Sequence, residues 1–389
     1  MGFLNFFRKS KNIQLEENCL ELTTAQLIAR DILLNKAAPL DKTGVIDDKI
    51  TGIDSNCEKI VSAIIISDFS DIKSNCNRVA ISLARQIALM CHYPNFNEKD
   101  GSNRTKITII DINPNNNLDA IFDALKVETG NLSTLCHWTI QYPDGTTSKN
   151  DNAKAFIDIE FNILNLNPTD LSSYIDSQYS HNEIISIFYN NYCLNGIDSN
   201  RFLQCYNFSN DSNAIEPNLK RAKLANMIYQ KSINLTAVKD ISNINAYKDP
   251  LNRYSKKLKW DIINTEWQKL RPELKLSSLF CVDCFESRIR SANYNICKDN
   301  ITQLAYTEHA RWNVEKLILG YRIFTPEEKH HDNKSFGDEK KEYRINKKNL
   351  EKAHIDICSC NELSLINPED LKYDYFLTLC INEILNRKI

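Results

Sequence analysis

His309, Arg311, Trp312, Lys316 and Tyr321 fall within one segment, Leu304–Arg322, which reads LAYTEHARWNVEKLILGYR. An indole flanked by cations suits a flat, anionic ligand. Base–aromatic stacking contributes roughly 1–3 kcal/mol per base, so Trp312 and Tyr321 are the candidate platforms. Arg311, Lys316 and Arg322 are the candidate phosphate partners, arginine in bidentate fashion. The same residues admit two other chemistries. His309 with Glu308 could do acid–base work on a nucleotide. Alternatively, Trp312 and His309 are packing residues between two parts of the chain, since both types are often half-buried.

The segment predicts a helix. Ala305, His309, Trp312, Lys316 and Leu319 fall on one stripe at spacings of four and three, and Ala310, Val314, Leu317 and Tyr321 on an apolar one. The second stripe is expected to face a core and the first to present a polar, aromatic surface. Glu308 and Arg311 at i,i+3 offer a local ion pair.

Composition bounds the rest. The chain has 389 residues, 42% hydrophobic and 25% charged, with a formal net charge of −2. That length suits two or three domains. A near-neutral chain has no global field for nucleic acid, so any anion must be held by local cations. No apolar run approaches the ~20 residues that span a bilayer. The N-terminus, with Phe3, Phe6 and Phe7, lacks a secretory apolar region and has no Ser or Thr at position 6 for myristoylation. The expected location is cytoplasmic. Thirteen cysteines without regular spacing read as reduced, mostly buried thiols. Cys281 and Cys284 form a CxxC and Cys358 and Cys360 a CxC, with His330, His331 and His354 nearby. Four-ligand zinc is conceivable, but CVDC lies in an apolar helical run, where core thiols are expected.

From Lys59 the chain alternates. KIVSAIIISDF reads as a buried strand, Arg78–Cys91 as a helix, TKITIIDINP (Thr105–Pro114) as a second strand, and Leu118–Val127 as a second helix. Strands are expected again from Ala155, at Glu183–Tyr189, from Phe202 and at Ile233–Val238, with a helix at Leu219–Gln230. Such alternation argues for parallel pairing with right-handed crossovers. The turn after the first strand, SDFSDIKSNCNR, has no glycine, so the G-x-G-x-x-G cradle of a dinucleotide site is missing. Asp111 stands where a ribose-binding acid would be and is a weak cofactor-binding candidate.

The opening segment resembles the ryanodine-receptor repeat (RyR domain), with signature EH-x-RW-x-x-x-K-x-x-x-GW. Here it stands as Glu308, His309, Arg311, Trp312, Lys316 and Gly320, with Tyr321 for the second Trp. The family's later block, HPDLVPWDEL, is echoed by His354, Asp356, Ile357, Glu362 and Leu363, with Ile355, Ser359 and Cys360 departing from it. The resemblance covers about residues 300–389. It implies a preceding Rossmann-like domain of the TrkA type, binding of a nucleotide or nucleotide-derived signal, and a setting in bacterial anti-phage or conflict signalling.

The expected fold class is α/β: an open, mostly parallel Rossmann-like sheet domain followed by a small, mainly α-helical RyR domain. The expected divisions are 1–55, a helical or irregular extension; 56–245, the sheet domain; 246–300, a helical connector; and 301–389, the repeat. The expected function is a non-enzymatic sensor. His309, Arg311, Trp312, Lys316, Tyr321, Arg322 and His354 form its ligand site, with no catalytic residue, metal or required cofactor. Expected partners are the nucleotide, a protein effector and a second copy of the chain in a homo-oligomer, without nucleic acid.

Overall fold

In the computed structural model, which describes residues 21–178, 182–190, 202–209, 211, 213, 215, 219–233 and 244–387, the chain is mixed α/β. Its strands are β1 (Gly44–Ile46), β2 (Lys49–Thr51), β3 (Ile60–Ser67), β4 (Thr105–Asp111), β5 (His137–Gln141), β6 (Thr147–Lys149), β7 (Ile159–Asn165), β8 (Glu183–Tyr189), β9 (Gln204–Asn207), β10 (Arg322–Ile323) and β11 (Ala353–His354). The helices of the first half are α1 (Thr24–Asp31), α2 (Asn75–Met90), α3 (Leu118–Thr129), α4 (Leu132–Leu135), α5 (Leu171–Gln178) and α6 (Lys220–Ile233). Those of the second half are α7 (Ile244–Lys257), α8 (Trp260–Gln268), α9 (Pro272–Asp283), α10 (Phe285–Ser291), α11 (Ile301–Ile318), α12 (Pro326–Lys334), α13 (Gly337–Glu351), α14 (Cys360–Ile366), α15 (Pro368–Leu379) and α16 (Ile381–Asn386).

Seven strands form the main sheet in the order β6-β5-β7-β4-β3-β8-β9. Every pairing is parallel except β5 with β6. The β3 sequence IVSAIIIS is apolar almost throughout because both faces of a parallel strand are covered. Val61, Ala63 and Ile65 join the larger core with α2 and α3. Ile64 and Ile66 join a smaller cluster with Ile110, Ile187 and, from α5, Leu171 and Ile175. The strand order reverses at β3, which pairs with β4 on one side and β8 on the other.

Local signals fix the helix starts. Thr23 caps α1 in a reciprocal capping box with Gln26 (3.3 and 3.1 Å). Ser74 caps α2 and Asn117 caps α3. The strands expected at β3, β4, β7, β8 and β9 are present, whereas β5, β6 and α5 were not foreseen. The strand expected over Ile233–Val238 lies outside the described residues beyond Ile233, which closes α6. Phe3, Phe6 and Phe7 also lie outside them.

The larger core runs without interruption from the sheet into the second-half helices, joining Ile107 and Phe161 to Leu279, Val314, Leu317 and Phe376. The expected connector and repeat therefore share one interior with the sheet. Among the described residues, no helix is long and apolar enough to cross a membrane.

Candidate functional site

α11, which carries the opening motif, is a central helix and not a surface one. It packs along α15 and against α9, α2, α3 and α4. The expected division into a core stripe and a surface stripe is therefore corrected. Ala305, His309 and Lys316 are as buried as Val314 and Leu317, while Ala310 and Trp312 are half-buried. The polar stripe faces an internal cavity instead of open solvent.

Two polar layers cross this helix. In the first, the Arg311 guanidinium donates from Nε and Nη2 to Glu308 (2.9 and 2.8 Å) and from Nη1 to Glu315 (2.6 Å). Arg288 of α10 pairs with Glu308, and Lys316 Nζ donates to Glu315 (2.7 Å). Burial pushes the Glu308 carboxyl up, but Arg288 and Arg311 outweigh it and hold the group at about 2. The same contest leaves Glu315 below its ordinary value, burial opposing Lys316 and Arg311. The expected Glu308–Arg311 pair is present, but Arg311 is not available to phosphate, because all three of its nitrogens serve carboxylates.

The second layer is built on His309. Its Nε2 donates to the Cys358 carbonyl (3.0 Å), and its Nδ1 lies 3.6 Å from Asp374 Oδ2. Burial pulls the imidazole down, yet the hydrogen bond and charge of Asp374 carry it above its ordinary value. Burial in turn raises Asp374, with His309 pulling it back. The Trp312 ring stacks near His309, with centroids 5.8 Å apart at 17°, and meets the edge of His354 at 5.0 Å. Lys316 Nζ lies 5.6 Å from the Trp312 centroid and 5.8 Å from that of Tyr321. β11 brings His354 to this point by pairing in parallel with β10, directly after α11.

These groups open on a cavity of about 340 Å³. α11 contributes Glu308, His309, Arg311, Trp312 and Lys316; α6 contributes Ala225, Asn226 and Tyr229; α9 contributes Leu274, Ser277, Ser278 and Cys281. α15 turns Asp370, Tyr373, Asp374 and Leu377 inward at helical spacing, and Lys348, His354, Asp356 and Leu363 complete the wall. The volume lies at the lower end of the ~300–1,000 Å³ typical of small-molecule sites between helices. Asn367 Nδ2 donates to both Asp356 and Asp370. Burial and the neighbouring Asp356 push Asp370 up to about 7. Burial, backed by Lys348 and Lys316, drops His354 to about 3. Its Nδ1 accepts the Asp356 N–H (3.3 Å), so the neutral ring carries its proton on Nε2.

Of the expected site residues, the structure gathers His309, Arg311, Trp312, Lys316 and His354 on this cavity. It leaves two outside the lining. Arg322 is held by Glu328 (2.8 and 2.9 Å) and Glu351 (2.6 Å). Tyr321 is buried and its hydroxyl donates to Glu273 (3.1 Å). Asp111 is corrected as well. Its carboxylate accepts from the backbone of Phe69 (3.2 Å) and Asn113 (3.1 Å) and from Asn165 Nδ2 (3.2 Å), so it ties the strand ends together. Buried Phe69 occupies the turn above it. Cys281 and Cys284 sit buried at the end of α9, where burial drives both thiols up. Among the described residues, no group of His, Cys, Asp and Glu has the arrangement of a metal site.

Sequence reasoning missed Lys348, Tyr229, Asp370 and Tyr373. The inward stripe of α15 had a visible signal, Asp370 and Asp374 at i,i+4 among the apolar and aromatic residues Leu371, Tyr373, Tyr375, Phe376 and Leu377. Lys348 and Tyr229 had none. Compared with protein-family models, with curated proteins and with solved structures, the chain matches none of them.

Proposed function

We propose that this cavity binds a nucleotide or nucleotide-derived signal, and that the chain is a non-enzymatic cytoplasmic sensor acting in bacterial anti-phage or conflict signalling. The observation that carries the reading is Trp312, a half-buried indole on the wall of a nucleotide-sized cavity, flanked by Lys316 and His354. In this reading the C-terminal part is an RyR repeat, supported by the meeting in space of its two sequence blocks, Glu308–Lys316 and His354–Leu363, on one cavity. The sheet before it is Rossmann-like, supported by parallel strands whose order reverses at β3. The glycine-free turn and the occupied Asp111 turn the ligand away from that reversal point and toward the helical cavity. Ligand binding there would shift the helices around α11 and alter self-association or the docking of a protein effector.

The enzyme alternative draws no support from the layers around α11. Glu308 is engaged by two arginines and both ring nitrogens of His309 face oxygen partners, so neither is poised as a base.

Calorimetry against mono-, di- and cyclic nucleotides tests the proposal. Wild type should bind at least one in the micromolar range, and Trp312→Ala should weaken it by about tenfold or more, in line with roughly 1–3 kcal/mol per stacked base. Trp312→Phe should stay folded and retain part of the affinity. If no nucleotide binds at high micromolar concentration, the proposal fails. If Trp312→Ala simply unfolds and Trp312→Phe binds as wild type, Trp312 is core.

A further inference from the structure

We infer that the cavity contains a dedicated phosphate subsite formed by Lys348, Lys316 and His354, set at its solvent-facing end; the identity of what the phosphate is attached to rests on the nucleotide reading above. The argument starts from donors without acceptors. Among the described residues, Lys348 has no salt-bridge or hydrogen-bond partner, although its side chain lines the cavity. Lys316 also lines it, and one hydrogen bond, to Glu315, leaves its other ammonium protons free to turn. His354 has its proton on Nε2, for which the described residues supply no acceptor. Three donors from α11, α13 and β11 thus meet on one wall.

The nearby acids offset them only in part: Asp356 acts on both Lys348 and His354, but burial and the neighbouring lysines outweigh it. Glu308 and Glu315 are engaged by Arg288, Arg311 and Lys316. Asp356 and Asp370 are tied to one another through Asn367. Burial first, and then Lys316, depress the Lys348 ammonium, with Arg271 adding to them and Asp356 and Asp370 opposing. Arg271, the residue before α9, is exposed and extends the positive field outward.

The geometry selects phosphate over a planar carboxylate. A tetrahedral group offers a separate oxygen to each of three donors on different elements, and a phosphomonoester dianion matches two ammonium groups in charge. The position follows from α13, which has no buried residue, so Lys348 reaches the cavity from the solvent side. A phosphate there leaves the deeper wall, with Trp312 and Tyr229, for the group it carries.

The test is calorimetry on the full chain with inorganic phosphate, adenosine, guanosine and their 5′-monophosphates, using wild type, Lys348→Ala and Lys348→Arg. Lys348 lies on an exposed helix, so both variants should fold, which melting curves check. The monophosphates should bind wild type about tenfold or more tighter than the nucleosides, as loss of a charge-assisted hydrogen bond would reverse. Lys348→Ala should bring monophosphates down to the nucleoside level and leave nucleosides unchanged, and Lys348→Arg should recover most of the difference. Nucleosides and monophosphates binding equally, with no effect of Lys348→Ala, would overturn the subsite while leaving the nucleotide reading in place. Inorganic phosphate binding that needs Lys348, with no nucleoside or nucleotide effect beyond it, would uphold the subsite and remove the nucleotide. No binding of phosphate or phosphomonoester at millimolar concentration ends both.

Discussion

Glu308 is the residue on which the opening motif turns, and its role is to hold charge inside the protein. Buried ion networks contribute little net stability when intact, but removing one member leaves uncompensated charge at a cost of roughly 3–5 kcal/mol. Glu308→Gln leaves Arg288 without its carboxylate and Arg311 with Glu315 alone, and should lower the unfolding free energy by about that amount in urea titrations. A pH dependence follows with a definite sign. The folded carboxyl stands near 2 against an ordinary 4.5, so its contribution is fully present above about 4.5 and is lost as pH falls toward 2. At about 1.4 kcal/mol per unit, that is roughly 3 kcal/mol, and the acid arm of the stability curve should flatten in Glu308→Gln. Asp370 runs the other way. Its folded value of about 7 exceeds the ordinary 3.8, so it favours the folded state at low pH and that benefit disappears as pH rises from about 4 through 7. Asp370→Asn should therefore remove a loss of stability that wild type shows between about pH 4 and 7. At this scale the sequence pointed to Trp312, Lys316 and His354, which the fold brings together on one cavity. Arg311 and Arg322, read as phosphate partners, are held by carboxylates: Arg311 by Glu308 and Glu315 of its own helix, and Arg322 by Glu328 and Glu351 from α12 and α13, which a helical wheel of α11 does not show.

At the scale of elements, the junction of α3, α4 and α11 fixes where the cavity helix stops. Gly130, just after α3, has φ +55°, and a Cβ there would lie 2.8 Å from the carbonyl oxygens of both Leu317 and Ile318. Asn131 then closes the end of α11, its N–H donating to Leu317 O (2.9 Å) and its side-chain amide to Gly320 O (3.0 Å) and Tyr321 O (2.9 Å). Gly130→Ala imposes both a positive-φ strain of roughly 1–3 kcal/mol and a steric clash, and should destabilise the fold by at least that much in thermal melts. An unchanged melting temperature would show that the contact with α11 is slack. Elements with a pure pattern were legible: the β-branched runs of β3, β4 and β8, and the amphipathic helices α2 and α3. β5 was not, because HWTIQ is half polar and only Ile140 is fully buried. α11 was legible as a helix and misread in orientation. Its charges suggested an exposed side, whereas they satisfy one another in the interior.

For the whole molecule, the continuous core predicts one cooperative unit. Calorimetric unfolding should show a single transition, with sheet and helical signals lost together. Two well-separated transitions would mean that the expected boundary near residue 300 divides independent folding units. The core also explains why that boundary was drawn where it was. The change from strand-rich to helix-rich sequence is real, but the helices after residue 246 pack on the helices that cover the sheet and share their core, apart from a small cluster of Phe324, Ala353 and Ile355.

The cavity draws its wall from α6, α9, α11 and α15, which lie on both sides of the boundaries expected near residues 245 and 300. A fragment beginning at residue 301 would carry Trp312, Lys316, Lys348 and His354 without Tyr229, Asn226 or Ser277. The cavity wall is therefore not a transferable cassette. Grafting the last segment onto another sheet would discard seven of the twenty lining residues, and in homologous chains changes at Tyr229 or Ser277 should be accompanied by changes at Trp312 or Tyr373. Recombination at the apparent joint would break both the continuous core and the cavity wall, so the two halves should be inherited together.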